Sequence, residues 1–346
     1  MERVDIDNAS LEVRFFKALT ALDPRPNLKY VCAYSAGPDS TALLALLLSA
    51  VPAKQVFAAH LDHNLRDSSA AEAQKAQEWA EDLGVKVILG SVDVKALASQ
   101  RGRGLEDAAR FARYEFLAQT LSTVKGDYIV TGHQANDQAE TILLKLLRGG
   151  GPTALIGVKR KNGAIIRPLL DFTREELLSY LKIKGLSYLN DPSNQDLAFR
   201  RNRLRLNIWP EIVKLNENAA SALARAADLA VVEEEYWESL IADWDQQYVT
   251  LLPSGRIQVL ASGLRSLPLA AQRRFILHIL RRATPNRGLL GDKVSFAGVN
   301  GVISFLAEDR INGSGRDLPG GFRVERQGIH LHIGPNSRIN PKSRPE

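Results

Sequence analysis

The stretch YSAGPDST (34–41) lies between two apolar runs, residues 28–34 and 42–48. One interpretation is a strand, a tight turn and a helix, with Ser or Asp as the helix cap. The other is an anion site, because a glycine turn before a helix presents free backbone N–H groups and the positive end of the helix dipole. Short glycine motifs occur by chance, so this stretch alone leaves both interpretations open.

The first half of the chain alternates strand-like and helix-like segments. Residues rich in β-branched side chains and bounded by turn residues predict four strands, at 29–35, 55–62, 86–92 and 127–132. Apolar residues that recur at three and four positions predict helices at 40–50, 69–83, 105–123 and 136–148. This order predicts βαβ units, and therefore an α/β fold with a Rossmann-like parallel sheet and helices on both faces.

From about residue 200 helical patterns dominate, at 201–214, 216–248 and 264–282, with a short strand at 256–260. Residues 322–333 predict a β-hairpin that turns at Gln327–Gly328, and the last dozen residues are predicted to be disordered. We therefore expect three regions, 1–215, 216–285 and 286–346, of which the second is a smaller, mainly helical domain.

Bulk composition limits the function. The single cysteine among 346 residues, Cys32, excludes a disulfide framework and an intramolecular Cys-x-x-Cys site, and its place in the first strand predicts a buried thiol. No apolar segment is long enough to span a bilayer and the N-terminus lacks a signal pattern, so we expect a soluble, cytoplasmic protein with no membrane partner. The net charge of +6 permits a polyanionic partner without requiring one.

Charge is unevenly distributed along the second half. Residues 226–245 carry seven acids and no base, whereas residues 200–205 carry four arginines and residues 263–291 carry six, both without an acid. The alternation predicts separate faces, with the arginine-rich segments as candidate phosphate contacts. The alternative for either segment alone is a solvated helix surface.

Polar residues cluster after three of the four predicted strands, in SAGPDS (35–40), HLDHNLRD (60–67) and TGHQANDQAET (131–141). Ligands bind at the carboxyl ends of the strands in open α/β sheets, so these clusters predict one site. The first loop is not a Walker A sequence, because it has no lysine to hold a β- or γ-phosphate. Its Asp39 is compatible with phosphates if Mg²⁺ bridges them, which indicates a nucleotide bound through pyrophosphate.

The same loop resembles the Ser-Gly-Gly-x-Asp-Ser motif of the PP-loop ATP pyrophosphatases, which transfer AMP to a carbonyl or carboxylate. Further motifs narrow the resemblance: HLDHNLR (60–66), GLEDAARFARY (104–114), TGHQANDQAETILL (131–144), LLRGGGPTALIG (146–157), IRPLL (166–170) and NDPSNQDLAFRRNRLR (190–205). In this order they are similar to the bacterial tRNA(Ile)-lysidine synthetases. The similarity covers about residues 28–215 and continues more weakly to about 282.

This resemblance implies a two-step reaction. ATP adenylates the C2 carbonyl oxygen of the wobble cytidine in a CAU-anticodon isoleucine tRNA and releases pyrophosphate; the side-chain amine of free lysine then displaces AMP, which gives lysidine. The implied cofactors are ATP and Mg²⁺, and the implied partners are this tRNA and free lysine. Residues 1–215 would be the ATP-binding catalytic domain and 216–285 a tRNA-binding domain, with no role implied for 286–346. The oligomeric state stays open, a homodimer included.

The resemblance also assigns residues within these motifs. The residues assigned to the nucleotide are Ser35, Ala36, Gly37, Pro38, Asp39, Ser40, Asp62, His63 and His133, and Asp39 is also assigned to Mg²⁺. The residues assigned to catalysis are Asp39, Arg113, Asp137 and Glu140. Arg201 and Arg205 are assigned to tRNA, and Asp191, Asn194 and Asn202 are placed on the same tRNA-facing side. Outside the motifs, the seven- and eight-residue spacing of one helix face predicts further tRNA contacts at Arg273, Arg274, Arg281 and Arg282.

Several of these roles have alternatives. Asp137 and Glu140, three apart at the start of a helix, could hold the lysine, coordinate Mg²⁺ or remove the amine proton, or they could be helix-capping acids. Arg113 is preferred to Arg110 for catalysis, because Glu106 lies four residues before Arg110 and can pair with it. A zinc site among the histidines is rejected, since their spacing alternates faces along a strand and no cysteine joins them.

Ala36 stands where the resembled motif has glycine. We expect an ordinary backbone conformation there, in which alanine is tolerated.

Two rival functions are another PP-loop tRNA-modifying enzyme, such as a thiolase, and a non-catalytic tRNA-binding homologue. The lone Cys32 argues against a thiolase, because thiolation enzymes use cysteine pairs. The retained acidic and basic motif residues argue against a non-catalytic protein.

Overall fold

A computed structural model describes residues 8–64, 69–102, 104–190, 195–283, 294–308 and 311–336. The chain divides into two compact units, Met1–Val231 and Val232–Glu346, which are described one at a time. None of the described helices is long and apolar enough to cross a membrane. Residues 337–346 of the predicted disordered tail lie outside the described residues.

The first unit alternates strands and helices, as the sequence predicts. Its elements in chain order are α1 (Asn8–Leu22), β1 (Tyr30–Ala33), α2 (Pro38–Ala50), β2 (Val56–Asp62), α3 (Ser69–Asp82), β3 (Lys86–Ser91), α4 (Val94–Arg101), α5 (Leu105–Thr123), β4 (Tyr128–Val130), α6 (Ala135–Leu147), β5 (Lys161–Asn162), β6 (Ile165–Ile166), α7 (Arg174–Lys184), α8 (Arg200–Arg203), a π-helical turn (Leu204–Ile208), α9 (Trp209–Leu215) and the first part of α10 (Ala219–Tyr248). The sheet order is β3-β2-β1-β4-β6-β5, and all pairs are parallel except β5 with β6. The predicted α/β class is confirmed.

Both faces of this sheet are buried. Along β1, Cys32 contributes to a core shared with α1, α2 and α7, whereas its neighbour Val31 contributes to a second core with Leu117 of α5. The residues of β4 divide in the same way, Val130 to the first core and Ile129 to the second. Successive side chains of a strand point to opposite faces, so helices cover both sides of the sheet, as predicted.

Cys32 lies at the centre of the sheet, where it pairs with Ala58 of β2 and Val130 of β4. Its side chain is fully buried, and burial raises the pKa of the thiol well above its usual range. The predicted buried thiol is confirmed. Since β1 pairs on either side with β2 and β4, its carboxyl end is the topological switch point, where open α/β sheets bind ligands.

The second unit contains the remainder of α10, three further helices and an antiparallel sheet. The helices are α11 (Ala261–Ser266), α12 (Leu269–Arg282) and α13 (Phe296–Ala307), and the strands are β7 (Val249–Leu251), β8 (Ile257–Leu260), β9 (Gly315–Leu318), β10 (Phe322–Gln327) and β11 (His330–Pro335). The sheet order is β7-β8-β11-β10-β9. The helices supply the predicted helical content, whereas the sheet is larger than the strand and hairpin that the sequence predicts.

Two local predictions in this unit need correction. The predicted helix 264–282 is two helices, because Pro268 fixes an extended conformation between α11 and α12. The hairpin turns one residue later than predicted, since Gln327 still pairs with His330 and the turn residues are Gly328 and Ile329. Gly328 has φ +59°, the left-handed region that glycine adopts without strain.

The two units divide within α10, whereas the sequence suggests a boundary after residue 215. The start of α10 packs into the first unit, because Ala219 and Ala220 lie in a cluster with Trp209. Further along α10, Asp228 accepts two hydrogen bonds from Arg160, each 2.8 Å long. These contacts join residues distant in sequence, which helix periodicity does not reveal.

Candidate active site

A cavity of about 500 Å³ opens at the carboxyl ends of β1, β2 and β4. The candidate residues that line it are Ser35, Asp39, Ser40, Asp62, His63, Arg113, His133, Asp137, Arg201 and Arg205. The three polar clusters that follow the strands therefore meet in one cavity. The roles assigned to these residues stay predictions.

The loop between β1 and α2 is organised around the hydroxyl of Ser40. The backbone N–H of Ser35 donates to Ser40 Oγ at 3.2 Å, and this hydroxyl donates to the carbonyl oxygen of Gly37 at 3.0 Å. Helix α2 begins after Gly37 with Pro38 in its first turn and no side-chain cap. The N–H groups of Asp39 and Ser40 have no acceptor within the helix, which makes this end of α2 suited to an anion.

Gly132, after β4, lies against the same loop. A Cβ atom at this position would be 3.0 Å from the carbonyl oxygen of Asp39 and 3.3 Å from the backbone nitrogen of Ser40. The missing side chain therefore allows the carboxyl end of β4 to approach the N-terminus of α2 closely.

The prediction for Ala36 is wrong. Its φ is +57°, in the left-handed region, and its side chain is fully buried. An L-residue in this conformation costs about 1–2 kcal/mol, because Cβ approaches the following carbonyl oxygen. A backbone hydrogen bond helps to keep Ala36 in this strained conformation, because its carbonyl oxygen accepts from the N–H of Leu189 at 2.8 Å.

Ala36→Gly is expected to change the free energy of unfolding by less than about 1 kcal/mol. Relief of the left-handed strain is offset by the greater entropy of unfolded glycine and by the loss of a buried methyl group. Ala36→Val is expected to lower the free energy of unfolding by at least about 2 kcal/mol, because a β-branched side chain adds strain and volume. Urea denaturation of both variants measures the difference; equal effects would contradict the left-handed conformation.

Asp39 carries an unsatisfied carboxylate in the cavity. Its Oδ1 is buried with no hydrogen-bond partner among the described residues, and its Oδ2 lies 3.5 Å from Arg174 Nη1. Burial, and then the charge of Asp137, raise the pKa of Asp39 to about 6. An unpartnered carboxylate oxygen beside a helix end suited to an anion fits Mg²⁺, which proteins hold through one or two carboxylates and the phosphates of a substrate.

Asp137 and Glu140 form a network with two arginines from the segment after α7. Glu140 accepts from Arg201 Nε at 2.5 Å and from Arg205 Nε at 2.6 Å. Asp137 Oδ1 accepts from Arg201 Nη2 at 2.6 Å and from Arg205 Nη2 at 3.3 Å, while Oδ2 caps α6 at the N–H of Gln134. The two acids do share one helix face, and Asp137 is also the capping acid of the alternative interpretation.

This network changes the interpretation of Arg201 and Arg205, which the sequence assigns to tRNA. Their guanidinium groups contact the carboxylates of α6, so they are part of the cavity. Burial alone would lower the pKa of Arg201, but Asp137 and Glu140 outweigh it and raise that pKa. Asp137, Arg201 and Arg205 line the cavity and present both signs of charge there, whereas Glu140 is buried and is not one of the lining residues.

Arg113 and Arg110 of α5 also line the cavity. Within the described part of the chain, no carboxylate pairs with Arg113. Arg110 does not pair with Glu106 either; its guanidinium lies over the ring of Tyr114, 5.0 Å from the ring centre. The sequence-based reason for preferring Arg113 to Arg110 therefore does not hold.

The histidines of the cavity are neutral near pH 7. Burial, and then the charge of Arg113, lower the pKa of His63 to about 4, and burial together with nearby arginines lowers that of His133 to about 3. His133 Nδ1 lies 2.8 Å from the hydroxyl of Thr131. These rings can form hydrogen bonds to a ligand but carry no charge to offer it.

Asp62 has a local role as well as a place in the cavity. Its Oδ1 accepts from the backbone N–H of Asn64 at 2.8 Å, and its Oδ2 accepts from Ser69 Oγ at 3.2 Å. Asp62 therefore stabilises the loop after β2 in addition to lining the cavity.

Four candidate arginines lie in the second unit, on α12. Arg274 pairs with Glu234 and Arg282 pairs with Asp245, both acids of α10. The prediction of separate acidic and basic faces is therefore wrong for these two arginines, because α10 packs beside α12. Arg273 and Arg281 are exposed, and the guanidinium of Arg273 lies 5.3 Å from the ring centre of Phe296. Asp191 and Asn194 lie outside the described residues.

Sequence reasoning missed Arg174, the cation nearest to Asp39. It occupies the first position of α7, whose capping box at Thr173 and Glu176 was readable as a helix start. Residues 39 and 174 are far apart along the chain, and nothing in the sequence indicates that they lie close together in the fold. Ser69 and Glu72, at the start of α3, line the cavity as well.

Comparison with known proteins agrees with this geometry. A model of the PP-loop domain matches residues 11–212, which include every element of the cavity. The curated tRNA(Ile)-lysidine synthase of Thermus thermophilus is 37% identical over 324 residues, which are 93% of this chain and 59% of the relative. That of Geobacter sulfurreducens is 33% identical over 326 residues, 93% of this chain and 68% of the relative. The chain belongs to the tRNA(Ile)-lysidine synthase family.

Membership of this PP-loop family implies that the chain uses ATP. The chain spans 59% of the length of the Thermus lysidine synthase that it matches. Among solved structures, the U34-tRNA thiolase NcsA from Methanococcus maripaludis with its 4Fe–4S cluster has a TM-score of 0.53. It is 17% identical and covers 64% of this chain and 77% of its own, a likeness that concerns the fold alone.

Proposed function

We propose that this chain is an ATP-dependent ligase that attaches free lysine to C2 of the wobble cytidine in CAU-anticodon isoleucine tRNA. The observation that carries the proposal is the cavity itself, which is lined both by the PP-loop and by a mixed cluster of Asp137, Arg201 and Arg205. The names of the curated relatives support the same reaction. The products are lysidine in the tRNA, AMP and pyrophosphate.

The PP-loop end serves the first step. The C2 carbonyl oxygen of the cytidine attacks the α-phosphorus of ATP, and the bond to the β-phosphate oxygen breaks to release pyrophosphate. The free N–H groups at the start of α2, together with Arg110 and Arg113, neutralise the phosphate charge. Asp39 would hold Mg²⁺, which supplies further charge neutralisation at the phosphates when bound.

The mixed cluster serves the second step. Free lysine at neutral pH carries an α-carboxylate and two ammonium groups, so its site needs both signs of charge. Asp137 would hold an ammonium group, Glu140 would keep Arg201 and Arg205 in place, and these two arginines would hold the α-carboxylate. After its side-chain amine loses a proton, the amine nitrogen forms a bond to C2, and the bond from C2 to the adenylated oxygen breaks to release AMP.

The test is pyrophosphate release measured with ATP, Mg²⁺, the tRNA and lysine, each omitted in turn. Sustained turnover is expected only when all are present, and mass spectrometry should find lysine joined to the anticodon cytidine. A methionine tRNA with the same anticodon is the matched control. Turnover with tRNA that ignores lysine would indicate another PP-loop modification, and no turnover would indicate a non-catalytic tRNA-binding protein.

Arg273 of α12 is proposed to contact a tRNA phosphate. Arg273→Ala is expected to weaken tRNA binding and flatten its salt dependence, by about 0.7–0.9 in log–log slope if the variant neutralises one phosphate fewer. The matched control is Arg274→Ala, because the guanidinium group of Arg274 already pairs with Glu234. The control is expected to affect stability more and the salt slope less. Equal slopes in both variants would contradict the assignment.

A further inference from the structure

Arg201 and Arg205 reach the carboxylates of α6 from a segment with an irregular turn. Residues Leu204–Ile208, between α8 and α9, form a π-helical turn. The N–H of Trp209 donates to the carbonyl oxygen of Leu204, five residues back, where a regular α-helix would use the residue four back. Turns of this kind are rare in proteins overall, and those that occur are often found at functional sites.

Pro210 accounts for the irregular turn. It lies in the first turn of α9 and has no N–H to offer the carbonyl group of Leu206, four residues back. In a regular α-helix its ring would also collide with that carbonyl group. The segment therefore does not run from α8 to α9 as one α-helix, and the wider turn accommodates the proline.

Trp209 anchors this segment on the same helix that carries the two acids. Its side chain is 8% exposed and lies in an apolar cluster with Ala135 and Ala139 of α6. Ala139 and Glu140 are consecutive, so their side chains point about 100° apart on α6. The segment must therefore meet two different faces of α6 at once, one with its tryptophan and one with its arginines.

The π turn changes the direction of Trp209 relative to the two arginines. In an uninterrupted α-helix Arg201, Arg205 and Trp209 would follow one another at four-residue intervals, each about 40° further around the helix than the one before. A π turn holds one residue more than an α-helical turn, which shifts Trp209 back by about 100° and places it on the other side of Arg205. The turn therefore sets where the tryptophan lies relative to the arginines.

We propose that Trp209 and Pro210 are positioning residues for the cavity. Trp209 fixes the segment on α6, and Pro210 sets the turn that directs Arg201 and Arg205 to Asp137 and Glu140. The inference rests on the proposed function only for the assignment of these charged residues to the lysine site. The positioning itself is tested without the reaction.

The test is Pro210→Ala in the full chain, with the Nε–H groups of Arg201 and Arg205 followed by NMR. Both groups donate to Glu140, at 2.5 and 2.6 Å, and slow exchange with solvent is expected. In the variant this exchange should become at least about tenfold faster, because a hydrogen bond to a charged group is broken. Circular dichroism should still show a folded, helical protein.

Further variants separate positioning from a general effect on the fold. Trp209→Ala is expected to speed the exchange in the same way, and Trp209→Phe, which keeps a ring on α6, to restore slow exchange. Pro268→Ala, at a proline before α12 in the second unit, is the control and should leave both signals unchanged. Unchanged exchange in folded Pro210→Ala and Trp209→Ala proteins overturns the inference.

Kinetics distinguish this inference from the proposed function. If both hold, Pro210→Ala raises KM for lysine while KM for ATP changes little. Faster Nε–H exchange with an unchanged KM for lysine supports the positioning role and contradicts the assignment of these charged residues to the lysine site.

Discussion

Asp39→Asn is expected to abolish pyrophosphate release and, in metal-free buffer, to make the protein more stable above pH 6. The loss of activity follows from the proposed contact with Mg²⁺ and the phosphates, which a neutral amide does not replace. The gain in stability follows from the pKa of Asp39, which is raised from 3.8 to about 6 in the folded protein. Asparagine has the shape of the carboxyl group without its buried charge.

The sign of this effect depends on pH. Below about pH 4 the carboxyl group of Asp39 is protonated in both states, so the substitution should be nearly neutral. Between about pH 4 and pH 6 the unfolded chain loses the proton while the folded protein keeps it, and the wild type loses stability as pH rises. Above pH 6 the difference reaches up to about 3 kcal/mol, since one pKa unit corresponds to about 1.4 kcal/mol.

Urea denaturation at pH 4 and pH 7 measures this difference in the presence of a chelator. The matched control is Asp62→Asn in the same cavity, because both oxygens of Asp62 already accept hydrogen bonds. No gain in stability is expected from the control. An effect of Asp39→Asn on stability that does not depend on pH would contradict the raised pKa of Asp39. Turnover near the wild-type rate would contradict its proposed contact with Mg²⁺ and the phosphates.

Glu140→Gln is expected to lower the free energy of unfolding by about 3–5 kcal/mol, the usual cost of removing one partner of a buried ion pair. The side chain of Glu140 is 2% exposed and accepts from both Arg201 and Arg205. A neutral amide leaves these two cations with Asp137 as their sole described counter-charge. Lysine-dependent turnover should fall as well, because Arg201 and Arg205 of the proposed lysine site lose the buried carboxylate that they contact.

The second unit offers a matched control for this substitution. Glu325 also accepts from two arginines, Arg256 at 2.6 Å and Arg323 at 2.7 Å, but its side chain is 23% exposed. Glu325→Gln is therefore expected to cost less than Glu140→Gln, because water partly solvates the carboxylate of Glu325. Denaturation curves of the two variants provide the comparison. Similar losses in the free energy of unfolding would mean that burial does not determine how strongly the Glu140 network stabilises the protein.

The order of strands and helices in the first unit was readable from the sequence because it depends on local patterns. β-Branched runs, turn residues and the three-to-four spacing of apolar residues all act over a few positions. The site could be placed for a related reason: in a parallel sheet the carboxyl ends of strands lie at one edge, so three separate clusters had to meet. Asp39, His63 and His133 were found in this way.

The partners of the charged residues could not be read in the same way. Arg201 and Arg205 contact acids more than 60 positions away, and Arg274 contacts Glu234 through the packing of α12 on α10. The sequence shows that such residues are charged, but only the tertiary arrangement decides whether they meet a carboxylate or solvent. The φ of Ala36 was missed because alanine rarely adopts a positive φ, although the glycine of the resembled motif at this position pointed to one.

The burial of Cys32 has a practical consequence. It is the one thiol in the chain, and it lies at the middle of β1 with no exposed surface. A thiol reagent can react with it only when the strand is transiently uncovered, so the labelling rate reports how often the centre of the sheet opens. The native chain thus contains its own reporter of fluctuation, at the strand that leads into the PP-loop. Slower labelling on addition of ATP would measure how far the nucleotide suppresses those openings.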